Sequence, residues 1–136
     1  MNGEVVDDID RAEEASAAET ARYEHAYRET RRTLDESIET LAIMEELEES
    51  NDLREQIRLQ RRQLEADRSD LVRANIAFHS GRATMRPPSP TLVAEVVAIS
   101  KAAVELTVER ATAAAVLKLA TSALNKFAEI QDIRAG

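Results

Sequence analysis

The sequence predicts an all-α fold: an elongated, antiparallel three-helix bundle built as a coiled-coil-like hairpin. Three observations carry that expectation. Only three Gly and three Pro occur in 136 residues. Gly3 and Gly136 are terminal, while Gly81, Pro87, Pro88 and Pro90 share one stretch, too few turn residues for a β fold of this length. Hydrophobic residues make up 43 %, yet 23 of them are Ala, four are aromatic and none is Trp. Such material gives a thin aliphatic core where helices approach closely, and few of the large side chains that line deep pockets. Apolar residues also recur at seven-residue spacing through most of the chain.

The first helix is expected over about residues 9–48, with residues 1–8 a frayed acidic end. Tyr27, Leu34 and Leu41 form one heptad line, with Ile38 beside it. The frame does not continue into the next segment, because Leu41 and Ile57 are 16 residues apart. Between them lies Glu48-Glu49-Ser50-Asn51-Asp52, where Asp52 and Glu55 are spaced as a capping box. A turn is therefore expected there, against the competing possibility of one helix of about 70 residues, since no Gly or Pro forces a break. Length favours the turn, because helices of similar length can cover one another.

The second helix, about residues 52–79, repeats Ile57, Leu64, Leu71 and Phe78, with Arg54, Arg58, Arg61, Arg62, Arg68 and Arg73 on its other face. Charge supports the hairpin. Residues 1–52 carry a net −12, residues 53–90 a net +4 and the remainder zero, within a total of −8. A turn near residue 50 sets acids beside arginines and predicts Arg58 or Arg62 near Glu45–Glu49. Charges flanking a seam select pairing and orientation more than they stabilise it.

Residues 80–89 form a loop, since residues preceding Pro disfavour α conformation. Ser89 followed by Pro90 reads as an N-cap with Pro at the first helical position. From there to about residue 133 nothing breaks a third helix. Ile99, Ala103, Leu106, Arg110, Ala113, Leu117, Ala120, Leu124 and Phe127 follow 4-3-4-3 spacing, and Val93, Val97, Val104, Val108, Ala111 and Ala115 give a second apolar line. A helix apolar over that much of its circumference needs neighbours on two sides. It is expected to be the central element, and its seam the partner-binding face. Arg110 reads as a long side chain reaching the bundle edge, or as a register device pairing with an acid.

No catalytic constellation emerges. The chain has no Cys, hence neither disulfides nor thiolate ligands. Arg22 and Ile76 stand three residues before His25 and His79, where a helical di-metal site needs Glu. No Gly-rich phosphate loop or Gly-x-Ser-x-Gly elbow occurs. Tyr23, Tyr27, Phe78 and Phe127 read as packing anchors. The expectation is a non-enzymatic interaction or scaffold protein without cofactors, binding partner helices or itself as a homo-oligomer. A small effector, translocated component or chaperone of a bacterial secretion or phage system is the alternative class. The Arg-rich helix raises nucleic-acid binding, which the overall negative charge disfavours. With no basic-then-apolar leader and no apolar run of about 18 residues, a cytoplasmic protein without a membrane span is expected.

Overall fold

The computed structural model describes residues 2–106 and 108–130, with side chains from Ala17 onward. Among the described residues there are four helices: α1 (Asn2–Leu47), α2 (Asn51–His79), α3 (Pro90–Glu105) and α4 (Ala113–Ala128). The protein is all-helical, but three expected elements are corrected. α1 is already helical at Asn2, where a frayed end was expected. The third helix is two helices. The central element is α1, which packs against all three others, while α2 barely meets α4 and does not meet α3.

The turn at residues 48–50 separates α1 from α2. Its cap is Ser50, two residues before the expected Asp52: the Leu53 N–H donates to Ser50 Oγ. α1 has no base in its own last turn. Arg54 of α2 supplies one instead, donating through Nε and Nη2 to the Glu48 carbonyl at 3.1 and 2.6 Å, where a cation offsets the helix dipole.

α2 ends where Gly81 adopts φ +77°. The Arg82 N–H reaches the Ala77 carbonyl and the Gly81 N–H the Phe78 carbonyl, the Schellman closure for which Gly avoids a Cβ penalty. The following loop is pinned twice: the Arg86 N–H donates to the Ile130 carbonyl and Arg22 Nε to the Pro88 carbonyl. Ser89 Oγ accepts from the Leu92 N–H, with Pro90 in the first helical turn, as expected.

α3 stops at Glu105, with Leu106 extended (φ −76°, ψ 108°), and α4 restarts at Thr112, whose Oγ1 accepts the Ala115 N–H at 3.1 Å. The reversal answers the need read from the sequence. One straight rod would leave much of its wide apolar face bare; folded back, α3 and α4 bury most of the first line against α1 and each other, while Val104 of the second stays exposed. Val93, Val96 and Ala103 of α3 and Val116, Ala120, Ala123 and Phe127 of α4 are all buried. Burial of the wide apolar face overrides local helix continuity here.

α1 runs antiparallel to α2, joined at Glu45–Arg58, Asp35–Arg68 and Tyr23–Asn75. It runs parallel to α3, with Glu29 and Arg32 beside Val97, Ser100 and Glu105. Along one face Leu34, Leu41, Ile57, Leu64 and Leu71 interlock as a buried layer. A second face differs: Ala26, Thr30, Thr33 and Ser37 are buried at 4-3-4 spacing on a helix that both α3 and α4 cover. Their hydroxyls donate to carbonyls four residues back, at 2.7 to 3.0 Å. Small residues whose hydroxyls bond within α1 leave no orphaned donor on that helix, whereas Ser100 Oγ of α3 is buried without a hydrogen-bond partner.

Candidate interaction surface

The expected partner-binding seam does not form a continuous face. The Leu106–Thr112 connection cuts it. Ala103, Ala120 and Phe127 lie in the protein's own core, with Leu106, Ala113, Leu117 and Leu124 packed against that core. Ile99 is half-buried, and Arg110 is exposed in the turn. The line read as external is mostly the internal contact of α3 and α4 with α1.

The unmatched surface lies elsewhere. The small-residue line on α1 continues in the same spacing through Thr40, Met44 and Leu47. α3 has ended by that point, since its last turn lies beside Glu29 and Arg32. The final two turns of α1, about 12 Å at ~1.5 Å per residue, therefore overhang α3, although Leu41 and Met44 still meet the core. Leu47 is 68 % and Ile43 39 % exposed, whereas Thr30 and Thr33, earlier on the same line, are fully buried. Helical periodicity puts Ile43 and Leu47 on one face. Around them stand Glu36, Glu39, Glu46, Glu48 and Glu49, with no base between Arg32 and Arg54. Sequence reading missed this surface because its apolar members are few. The signal was the continuation, at unchanged spacing, of small residues into Met44 and Leu47.

Behind the overhang the hairpin is held by ions. Glu45 accepts from Arg58 Nε at 3.1 Å and Arg61 Nε at 3.0 Å, and Arg61 also meets Glu65 at 2.7 Å. The Arg61 hydrogen bond, with help from Arg58, holds the Glu45 carboxyl below its ordinary 4.5. A carboxyl whose folded pKa is depressed stabilises above its unfolded value and loses that contribution as pH falls through the folded value. The Glu45 side-chain carbon resonance should therefore titrate below 4.5, and Arg61→Met should move its midpoint up. A midpoint unmoved by that change would show that the pair does not persist in solution.

Other arginines of that face are engaged in part, while Arg62 is exposed. Arg68 meets Asp35 at 2.8 Å, Arg73 meets Asp70 at 3.7 Å and Arg54 holds the α1 carbonyl. At the other end of the bundle all four aromatic residues meet. Tyr23 lies 4.3 Å from Phe78 and 5.9 Å from Phe127 between ring centroids, and Tyr27 lies 6.2 Å from Phe127. Tyr23 donates to Asn75 Oδ1 at 2.8 Å, and burial pushes its phenol pKa up. A small cleft borders this cluster, lined by Thr20, Tyr23, Phe78, Met85 and Pro87. The cluster is a structural anchor, since both of its buried phenols are already bonded, Tyr23 to Asn75 and Tyr27 as acceptor from Arg31.

Among the described residues no group of three or more His, Asp or Glu is placed to hold a metal ion. No described helix is long and apolar enough to cross a membrane. No protein-family model, curated protein or solved structure matches this chain.

Proposed function

We propose that this chain is a non-enzymatic helical interaction protein whose overhanging α1 end docks a further helix. The observation that carries the reading is the line Ala26-Thr30-Thr33-Ser37-Thr40-Met44-Leu47. A helix covers its first half, while its second half keeps the same spacing and ends exposed at Leu47. A helix laid there would extend a packing mode the fold already uses between α1 and α3. The acids around it favour a docking helix with an apolar seam that sets a base against them, because like charges across a contact are costly. The arginines of α2 support a protein ligand over a nucleic acid, being largely engaged with the chain's own carboxylates and carbonyls.

A photo-crosslinking residue at Leu47, compared with one at Leu59, tests the reading. Leu59 is also exposed, at 56 %, but belongs to α2 and lies away from its buried face. Expected is a Leu47-specific crosslink to a helix with an apolar seam, lost with Ile43→Glu, an exposed neighbour on the same face, while helicity by circular dichroism is unchanged. Equal yields from both positions, or none from Leu47, would overturn it.

A further inference from the structure

The connection between α3 and α4 is built from residues that need not turn. Leu106-Thr107-Val108-Glu109-Arg110-Ala111-Thr112 contains neither Gly nor Pro, and no described non-Gly residue has a positive φ. Nothing steric in this sequence prevents a continuous helix. The heptad spacing is also continuous: Ala103, Arg110 and Leu117 repeat every seven residues across the gap, with Leu106 and Ala113 at the companion positions. Two helices joined by an ordinary hairpin loop have no reason to share one frame. In the folded-back form that frame is broken at Arg110, which is exposed, and at Leu106, whose backbone is extended, while Ala103, Ala113 and Leu117 meet the core on separate helices.

Straightening the connection restores the frame and supplies the missing cover on α1. α3 runs parallel to α1, so its continuation passes along the overhang. The register that sets Arg32 beside Ser100 and Val104 carries Arg110 toward Thr40 and Leu117 toward Leu47. Arg110 then enters the stretch bearing Glu36, Glu39 and Glu46, which explains a base in an apolar seam. The rest of α4 projects past the hairpin tip with Ala120, Ala123 and Phe127 bare. Its departure leaves a groove on α1 of matching shape. In a second copy turned head to head, the projecting α4 runs antiparallel to the second α1, as it does within one chain.

We infer that this chain forms a domain-swapped dimer, in which α3 and α4 fuse into one rod that covers its own α1 end and places α4 in a second copy. The inference rests on the docking reading above and names the docked helix as this chain's own residues 106–117. Swapping remakes the α4 contacts between copies at little cost, so the hinge decides the balance. The folded-back form keeps the Thr112 cap; the rod gains the helical hydrogen bonds of the connection and the contacts of Leu47.

The ion pair between Lys126 and Glu95 reports which form is present, since zero-length carbodiimide coupling joins the two residues. Labelled and unlabelled full-length chains are unfolded together, refolded, coupled and digested. Crosslinked peptides of mixed isotope in the dimer fraction are expected. Thr112→Ala removes a cap that exists only in the folded-back form and should raise the swapped fraction about fivefold per chain. Replacing Glu109 and Arg110 together by Gly, which disfavours helix but suits a turn, should deplete it at least as strongly. Like-isotope crosslinks alone, in monomer or dimer, would overturn the swap. If Leu47 then still crosslinks to another protein's helix, the docking reading stands; if it crosslinks to nothing, both fall.

Discussion

Phe127→Ala should cost about 3–5 kcal/mol, a large share of the roughly 5–15 kcal/mol that holds a domain of this size together. The ring is 2 % exposed and stands between Tyr23 and Tyr27. With only four aromatic residues in the chain, nothing of similar bulk can relax into the space. The loss also loosens the turn after α4, where the Ile130 carbonyl holds the loop at Arg86. Equilibrium urea unfolding measures it. Phe78→Ala, at a half-buried ring, should cost less. Tyr23→Phe should cost about 1 kcal/mol, the hydrogen bond to Asn75 alone. A Phe127→Ala loss below that of Tyr23→Phe would mean that the aromatic cluster does not anchor the bundle.

How far the sequence could be read depends on how local each cause is. Ser89-Pro90 and Gly81 were legible because a cap and a left-handed residue act within one turn. The buried layer of Leu34, Leu41, Ile57, Leu64 and Leu71 was legible because a seven-residue repeat of large apolar side chains has few other uses. The break at Leu106–Thr112 was not. No residue in it opposes helix, and the decision rests on what α3 and α4 gain by burying each other, a contact between residues far apart in sequence. The Thr30, Thr33 and Ser37 face was hidden for a different reason. An apolar pattern search passes over hydroxyls, although in a helix they can bond to the preceding turn and enter a core. The candidate surface follows from both omissions, since it is the overhang left when α3 stops beside a line of small polar residues.

Two changes one turn apart on α1 separate these kinds of core. Leu34 is fully buried in the aliphatic layer, so Leu34→Ala should cost about 2–5 kcal/mol through lost apolar contact and the cavity left behind. Thr30 is buried to the same extent, but its hydroxyl donates to Ala26 of its own helix at 2.8 Å. Thr30→Val keeps the branched shape and removes a donor and its bond together. The Ala26 carbonyl retains the helical N–H of Thr30's own backbone. Replacement of a satisfied polar group by an apolar one of similar shape can be nearly neutral, and a change within about 1 kcal/mol is expected. Thermal and urea unfolding of the two variants decide the matter. If Thr30→Val were as damaging as Leu34→Ala, that hydroxyl would have to hold something beyond its own helix, and the close packing of α1 on α3 would need a different cause.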